Sequence, residues 1–540
     1  MLHEGSIVER TALRRIATRW VPAAGLVAAL LWPLPHDARW DIRPDAALSA
    51  GKAVYLDALR AAPVSSTPNV LLIVADDLGR YDVGYHDPGI TVTPAIDALA
   101  AAGTVFTQAY ASAAICAPSR AALLTGRVQN RFGFESQPMQ RYVQNRGEYL
   151  GFRYLIDTDA MQPFLADSYP DAAQKVLQGL PASEIALPEI FRRLGYATAI
   201  LGKWHLGYGE QNQPRRFGFD THYGFLEAFT LYASAGDPQI VEHHHDLFWE
   251  RHIWRMGRSG PSAITRNGVP HTETRYLTDA ILEETVRFID DARAQNQPFF
   301  AYVPFSAPHT PFQARREDYD ALPAIADHNR RVYLAMIRRL DHAVGRLVEH
   351  LKTTDLLENT LILFTSDNGG AAYTGATANG PLKAGKFTQF EGGLAVPLVL
   401  AGPGIAPGRV EQPVLLTDLF ATLLARLGLP MPVDRPYDSV DLLATAGVPE
   451  RHLYWRSDFN RALRAGRWKL IEDRRSNVVL LYDLDADPGE RNNLAGAEPE
   501  RVTSLLAELD RWEATLAEPL WPRVMNYRHQ AEDGALWFAI

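Results

Sequence analysis

The chain has 540 residues, of which 47% are hydrophobic and 22% charged, and its formal net charge at pH 7 is −9. This composition is typical of a globular protein long enough for one large domain and a smaller one. The negative charge, with no basic stripe to offset it, argues against a nucleic-acid partner. An anionic substrate must therefore be attracted by a local cluster of cations.

The N-terminus combines basic residues with a short apolar stretch. Arg14, Arg15 and Arg19 precede an apolar run over residues 20–35, which contains three prolines and is shorter than the roughly 20 residues of a membrane-spanning helix. This pattern favours an export signal, and we expect a periplasmic or extracellular protein. No clean small-x-small cleavage site follows, so a retained membrane anchor is the alternative. We assign residues 1–65 to the signal or anchor and a linker.

From Asn69 onward, apolar runs of strand length alternate with helical patterns. The predicted strands and helices are a strand over residues 70–75, a helix over 187–194, a strand over 197–201, a helix over 277–292, a strand over 299–303, a helix over 333–351 and a strand over 360–365. This alternation predicts an α/β domain, over residues 66–445, with a large, mainly parallel sheet flanked by helices. In such sheets the ligand crevice lies beyond the carboxyl ends of the strands.

The C-terminal part has a different pattern. Short apolar runs occur at residues 453–455, 468–471 and 478–482, and residues 502–512 have helical spacing. We predict a smaller domain over residues 446–540, built of an antiparallel sheet plus a helix.

Two predicted strands run directly into carboxylates. Asp76 and Asp77 follow the first strand, and Asp367 and Asn368 follow the strand at 360–365. Taken singly, such residues are usually turn or capping residues. Together, at matching strand ends, their oxygen ligands predict a site for a hard divalent cation such as Ca²⁺ or Mg²⁺.

Cys116 is the only cysteine of the chain, so it cannot form an intrachain disulfide. Pro118 suits the first position of a helix and Gly126 its end, which predicts a helix over 118–125 with Cys116 at its N-terminus. Free N–H groups there favour an anion, and Arg120 would lie one turn further on. An inert, buried cysteine is the ordinary alternative.

Basic residues lie in three further segments. Lys203 and His205 come after the strand at 197–201, His309 follows the strand at 299–303, and Lys386 precedes a Glu-Gly-Gly turn at 391–393. Each of these residues alone has an ordinary explanation as a solvated lysine or a satisfied histidine. Lys203, His205 and His309 follow strands, and Lys386 precedes a glycine-rich turn that can approach a ligand closely, so together they are candidates for an anion site.

The run Cys116-Ala117-Pro118-Ser119-Arg120, followed by Leu-Thr-Gly-Arg at 124–127, resembles the signature of the sulfatase family. The three cation segments resemble sulfatase segments in the family's order, and the resemblance covers most of residues 69–403 plus a C-terminal part. It implies the alkaline-phosphatase-like fold. It also implies that a formylglycine-generating enzyme converts Cys116 to Cα-formylglycine, whose hydrate is the nucleophile.

The resemblance implies a role for each candidate residue. One calcium ion would be held by Asp76, Asp77, Cys116, Asp367 and Asn368. Arg120 and Lys203 would stabilise the sulfuryl group, and Lys386 and His309 would contact the sulfate and protonate the leaving group. His205 would hold the hydrate and help to eliminate sulfate.

The chain departs from the family in its loops. Lys383-Ala384 and Leu394-Ala395 replace residues common in the family, and residues 134–178 and 242–254 are unusual. The second of these segments is rich in histidine and tryptophan. We interpret both as surface insertions; the alternative is that they form a wall of the substrate pocket.

These observations predict a sulfatase, a sulfuric ester hydrolase of arylsulfatase type. Its expected substrate is a sulfated small molecule or sulfated carbohydrate. One alternative is a formylglycine-dependent phosphonate monoester or phosphodiester hydrolase. The other is a catalytically inactive binding protein on the same fold.

Overall fold

The computed structural model describes residues 27–59, 68–531 and 534–540. Residues 1–26, which hold the basic start and the first part of the predicted export signal, lie outside the described residues. Within the described ranges, no helix combines the length and the apolar character that crossing a membrane requires. The domain boundaries at 65/66 and 445/446 stay predictions.

The β-strands of the described residues extend from Asn69 to Ala539. In chain order, the first are β1 Asn69–Asp76, β2 Thr104–Phe106, β3 Ala109–Tyr110, β4 Met161–Pro163, β5 Ala197–Lys203, β6 Thr221–Phe225, β7 Ile240–His243, β8 Thr265–Arg266, β9 Val269–Pro270, β10 Phe299–Pro308 and β11 Phe312–Arg315. They are followed by β12 Thr360–Ser366, β13 Ala395–Val396, β14 Leu398–Ala401, β15 Gly408–Val410, β16 Val414–Leu415, β17 Leu453–Ser457, β18 Asn460–Ala465, β19 Trp468–Asp473, β20 Val478–Asp483, β21 Met525–Ala531 and β22 Gly534–Ala539.

The α-helices of the same residues are α1 Ala46–Ala58, α2 Pro94–Ala102, α3 Cys116–Thr125, α4 Arg146–Tyr154, α5 Ala172–Lys175, α6 Leu187–Arg193, α7 Phe248–Met256, α8 Leu277–Ala294, α9 Arg316–Asp320, α10 His328–Thr353, α11 Glu391–Leu394, α12 Asp418–Arg426 and α13 Pro499–Glu513.

The central element is a 10-stranded sheet with the order β15-β2-β14-β12-β1-β10-β5-β6-β8-β9. Its middle strands, from β12 through β1, β10 and β5 to β6, are parallel. The strands β14, β8 and β9 join antiparallel toward the edges. The predicted large, mainly parallel sheet is therefore confirmed.

Helices cover both faces of this sheet, and the residues of its central strands are almost all buried. Every residue of β1 is buried. Leu71, Ile73 and Ala75 belong to one apolar core, and the alternate residues Val70 and Leu72 belong to the other, as the two-residue side-chain period of a strand requires. The helix α10 buries its apolar stripe in the first core, and α3, α6 and α12 contribute to the second.

The C-terminal residues form a four-stranded antiparallel sheet, β17-β18-β19-β20, with α13 packed on it. The predicted antiparallel sheet plus helix is thus confirmed. The strand β18 was not predicted, because Arg461 and Arg464 interrupt its apolar pattern. Arg461 is paired with Glu472, at 2.6 Å, on the neighbouring strand. The hairpin β21-β22 was also not predicted, and it pairs with β4 from the segment 134–178.

A buried ionic cluster joins this C-terminal sheet to the Glu-Gly-Gly turn. Lys469 Nζ on β19 lies 2.8 Å from Glu391 Oε1 and 3.2 Å from Glu490 Oε1. The backbone N–H of Glu391 donates to Glu490 Oε2 at 2.7 Å. In the same turn, Gly393 O accepts the N–H of Gly369 at 3.0 Å. The cluster therefore holds the turn against the residues that follow β12.

We expect Lys469→Met to lower the free energy of unfolding by about 3–5 kcal/mol, because it leaves two buried carboxylates without their cation. Urea denaturation followed by tryptophan fluorescence measures this loss. Lys352, whose side chain is 68% exposed, provides the matched control, and Lys352→Met should change the free energy by less than about 0.5 kcal/mol. Equal losses in the two variants would contradict the ionic cluster.

The loss in Lys469→Met should be larger at pH 8 than at pH 5. Burial raises the pKa of Glu490 to about 7, and the charge of Glu391 adds to this effect. In the unfolded chain the pKa of a glutamate is about 4.3. A raised folded-state pKa gives stability that is complete below the unfolded pKa and is lost as the pH rises through the folded pKa. The Lys469 cation lowers the pKa of Glu490. Without it, the free energy of unfolding falls more steeply between pH 5 and pH 8.

Candidate active site

The predicted site residues converge at the carboxyl edge of the parallel strands. The strand β1 ends at Asp76, β5 ends at Lys203, β10 ends one residue before His309, and β12 ends one residue before Asp367. All of the candidate side chains are buried there: Asp76, Asp77, Cys116, Arg120, Lys203, His205, His309, Asp367, Asn368 and Lys386.

The helix α3 presents Cys116 to this edge. It begins at Cys116 itself, two residues earlier than predicted, with Ile115 in an extended conformation before it. Pro118 is therefore the third residue of the helix, which is tolerated because first-turn N–H groups have no intrahelical partner. Gly126 ends the helix in a left-handed conformation with φ 69°, as predicted.

Two residues at strand ends have an uncommon backbone conformation. Asp77 has φ 65° and His205 has φ 58°, a region that side chains other than glycine rarely occupy. Each lies just after the end of its strand, where the chain leaves the sheet. This strained conformation at a cluster of polar side chains is typical of functional sites.

The site pairs three carboxylates with three cations. The shortest contacts are Lys203 Nζ to Asp76 Oδ2 at 2.7 Å, Arg120 Nε to Asp367 Oδ2 at 2.8 Å, and Lys386 Nζ to Asp77 Oδ2 at 2.9 Å. Their formal charges cancel. This balance is what allows six charged groups to lie together out of contact with water.

The cations keep Asp76, the last residue of β1, and Asp77, which follows it, ionised. Burial raises the pKa of Asp76, but the positive charges of Lys203 and Arg120, with His309 nearby, outweigh burial and hold this pKa below its ordinary value. Burial likewise raises the pKa of Asp77, and Lys386 and His309 reverse the effect. Both carboxylates are thus available as anionic ligands.

Four side chains offer metal ligand atoms within 4.8 Å of one another: Asp76, Asp77, Cys116 and His309. Cys116 Sγ lies 3.5 Å from Asp76 Oδ1 and 3.9 Å from Asp77 Oδ1. The first three residues were predicted as metal ligands, whereas His309 was predicted as a catalytic residue.

The other two predicted ligands lie beside this group. Asp367 uses both of its oxygens, since Oδ1 accepts the N–H of Asp77 at 3.2 Å and Oδ2 accepts from Arg120. Asn368 donates through Nδ2 to Asp77 Oδ1 at 2.7 Å. Its Oδ1 is buried and finds no partner within the described part of the chain. A buried, unpartnered acceptor beside two carboxylates suits a hard cation.

The two histidines of the site differ in their hydrogen bonds. His309 donates through Nδ1 to Thr310 O at 2.6 Å, which leaves Nε2 facing Asp77 Oδ2 at 3.6 Å. Neither ring nitrogen of His205 has a hydrogen-bond partner among the residues that the structure describes. Burial lowers the pKa of both rings, and the nearby cations lower it further.

The thiol of Cys116 is a poor nucleophile as encoded. Burial raises its pKa well above the ordinary value, and the nearby Lys203 and Lys386 offset only part of this effect. The thiolate is the reactive form of cysteine, so a thiol kept protonated is inert near neutral pH.

Asn379 belongs to the surroundings of the site and was not predicted. Its Oδ1 accepts the N–H of Gly370 at 3.0 Å, and its Nδ2 donates to Gly370 O at 3.0 Å and to Ala384 O at 2.9 Å. It thereby ties the turn after Asn368 to the loop that carries Lys386. The Asn379-Gly380 dipeptide was the available signal, since such pairs mark turns.

Comparison with known proteins agrees with this geometry. The family model described as Sulfatase matches residues 68–429, a range that includes every candidate residue. The chain is 32% identical to the N-acetylgalactosamine-6-sulfatase of Canis lupus familiaris over 487 residues, covering 83% of this chain and 85% of that protein. It is 29% identical to arylsulfatase A of Homo sapiens over 523 residues, covering 87% and 92% of the two chains.

A solved structure extends the similarity to the fold. The crystal structure of Ps i-CgsB in complex with k-i-k-neocarrahexaose superposes with a TM-score of 0.70 at 30% sequence identity, covering 84% of this chain and 95% of that one. This chain therefore belongs to the sulfatase family, on the alkaline-phosphatase-like fold, and is a sulfuric ester hydrolase.

Proposed function

We propose that the protein hydrolyses sulfate esters of carbohydrates, using Cα-formylglycine made from Cys116 and one bound calcium ion. The observation that carries this proposal is the position of Cys116 at the start of α3. Its Sγ lies 3.5 Å from Asp76 Oδ1, beside the cations Lys203 and Lys386. The carbohydrate part is supported by the names of similar proteins, which include N-acetylgalactosamine-6-sulfatase and a neocarrahexaose complex.

Formylglycine would supply an aldehyde whose hydrate attacks the sulfur atom of the substrate. A protonated, buried thiol cannot do this, which is why conversion of Cys116 is part of the proposal. The backbone N–H groups in the first turn of α3 favour negative charge at this position. Arg120 lies one turn further along the helix, and its Nη2 is 3.5 Å from Asp76 Oδ1.

The residues present fit a calcium ion. Asp76 and Asp77 supply ionised oxygens, and Asn368 supplies an amide oxygen that has no other partner within the described ranges. Oxygen ligands of this kind suit Ca²⁺. When bound, the ion supplies positive charge that stabilises the sulfate oxygens.

The chain's own cations hold the sulfate ester in place. In this arrangement Lys203, Lys386 and Arg120 each neutralise one carboxylate. An entering sulfate would take over part of these contacts, since charge-assisted hydrogen bonds to the sulfate oxygens replace those to the carboxylates. Fixed cations of this kind stabilise the charge that develops in the transition state.

Proton transfer falls to Lys386, His309 and His205. Burial lowers the pKa of Lys386, but the Asp77 carboxylate outweighs this and raises it well above its ordinary value. Lys386 therefore enters the reaction protonated and can hold a proton at the leaving oxygen, with His309 beside it. The uncharged His205 is placed to accept a proton when sulfate is released.

Export is a further part of the proposal. It is supported by the basic and apolar N-terminal pattern, which lies largely outside the described residues. In the helix α1, which follows this N-terminal pattern, Lys52 Nζ donates to Ala182 O and Glu184 O, both at 2.8 Å. This helix is thus packed on the catalytic region.

We expect peptide mass spectrometry of active enzyme to find Cys116 converted, with a mass about 18 Da below that of the thiol form, because the encoded thiol is unreactive. Cys116→Ala should lower kcat by at least about 10³-fold, since it removes the nucleophile. Fully active enzyme in which this peptide carries only cysteine would overturn the mechanism.

A substrate comparison tests the reaction class. We expect kcat/KM for 4-nitrophenyl sulfate to exceed that for 4-nitrophenyl phenylphosphonate by at least about tenfold, a difference of about 1.4 kcal/mol in transition-state stabilisation. Steady-state assays of the same preparation measure both. A large preference for the phosphorus ester would favour the alternative, a phosphonate monoester or phosphodiester hydrolase.

Removal of calcium should abolish activity, and Asn368→Ala should raise the calcium concentration needed for half-maximal activity by at least about tenfold, because it deletes one oxygen ligand. Chelation followed by calcium titration measures this, with the calcium-dependent rise in melting temperature as a second readout. Asn359, an exposed residue just before β12, gives the control Asn359→Ala, which should leave both unchanged. Full activity after chelation would contradict the metal assignment.

A further inference from the structure

The two segments interpreted as insertions meet each other. Phe152, on α4 in the segment 134–178, stacks on Trp249 of α7, with ring centroids 6.4 Å apart and planes 8° apart. Phe152 also makes an edge contact with Phe248 at 5.7 Å. The backbone N–H of Phe248 donates to Asp159 Oδ2 at 3.3 Å. Residues 134–178 and 242–254 therefore form one structure instead of two separate surface loops.

The helix α7 is tied to the turn that carries Tyr373. His245 lies 2.5 Å through Nδ1 from Glu250 Oε2 and 3.1 Å through Nε2 from Asn329 Oδ1. Asn329 in turn donates through Nδ2 to Thr374 O at 2.7 Å. The side chains of His245 and Glu250 are only 8% and 3% exposed. This chain of partly buried polar contacts fixes α7 relative to residues 372–374.

Tyr373 connects this turn to Lys386 through the ring of Phe387. Its ring stacks on Phe387 with centroids 5.3 Å apart, and Lys386 Nζ lies 5.4 Å from the centroid of the Phe387 ring. Tyr373 and Trp249 both pack against the apolar cluster that contains Phe387 and Ile115, the neighbours of Lys386 and Cys116. Both aromatic residues remain partly exposed.

Trp249 also has an unsatisfied polar group. Its indole Nε1 is buried and finds no acceptor among residues 27–59, 68–531 and 534–540. An unpaired buried donor is unfavourable, and a substrate hydroxyl that gains access to it on binding would remove that cost. The ring thus combines an apolar surface with a donor, the combination that binds a sugar ring bearing both C–H faces and hydroxyls.

We propose that Trp249 and Tyr373 form the wall that binds the sugar ring carrying the sulfate ester. This inference rests on the proposed function, because it places the sugar beside a sulfate held by Lys203 and Lys386. Continuity with that site, through Tyr373, Phe387 and Lys386, identifies the occupant as the substrate's own sugar. The wall acts on affinity for the sugar and leaves the sulfate contacts unchanged.

The test compares a sulfated sugar with inorganic sulfate. For Trp249→Ala we expect KM for N-acetylgalactosamine 6-sulfate or sulfated neocarrahexaose to rise about tenfold, because the stacking surface and the donor are both lost. The inhibition constant of inorganic sulfate should stay within about twofold, because sulfate contacts only the cation site. Trp249→Phe, which keeps the packing on Phe152, should give an intermediate rise.

Tyr154 provides the matched control. It is an aromatic residue on the same helix as Phe152, and it is 74% exposed, so Tyr154→Ala should leave KM unchanged. A change of less than about twofold in KM for Trp249→Ala, or an equal weakening of sulfate inhibition, would overturn the inference.

Failure of the inference and failure of the proposed function give different results. Wild-type enzyme that hydrolyses 4-nitrophenyl sulfate but neither saccharide overturns the assignment of the wall to a sugar. Wild-type enzyme that hydrolyses none of these esters overturns the proposed function itself. If Trp249→Ala does not fold, the comparison of wild type with Trp249→Phe decides, since the phenyl variant keeps an aromatic ring and loses the indole N–H.

Discussion

The structure depends on the neutralisation of three buried carboxylates by three buried cations. Asp76, Asp77 and Asp367 lie at the carboxyl ends of neighbouring parallel strands, where water is excluded on every side. Without Lys203, Lys386 and Arg120 this arrangement would be strongly unfavourable. The cations come from β5, from the loop before α11 and from α3, so assembly of the site requires most of the large sheet to be in place. Formation of the site therefore depends on the folded sheet.

The C-terminal sheet supports the site indirectly, through the turn that precedes β13. Lys469 and Glu490 hold the Glu-Gly-Gly turn, and this turn contacts Gly369 beside Asn368. The wall formed by Trp249 and Tyr373 is fixed by its own partly buried polar contacts. Two peripheral regions thus support one central group of charges. This division lets substrate preference change in the peripheral segments while the reaction chemistry stays fixed.

The sequence predicted the parts of the fold that follow simple periodicity. The strand β1 could be predicted because its residues 70–75 face apolar cores, and Asp76 and Lys203 could be predicted because parallel strands place their ends together. The start of α3 was misplaced by two residues, since Pro118 is also tolerated inside a first turn. The strand β18 was not recognised because Arg461 and Arg464 are buried by polar pairing instead of by apolar character. The contact between Phe152 and Trp249 links distant segments, and no local pattern encodes it.

The burial of Cys116 has a consequence for the life of the protein. Its side chain is 1% exposed, at the start of a helix whose residues are all buried. Under the proposed conversion to formylglycine, the enzyme that oxidises this cysteine would reach it only while the chain is still unfolded. Maturation would then compete with folding, and a chain that folded first would lack the proposed nucleophile. The specific activity of a preparation would thus report the fraction of chains that were converted before they folded.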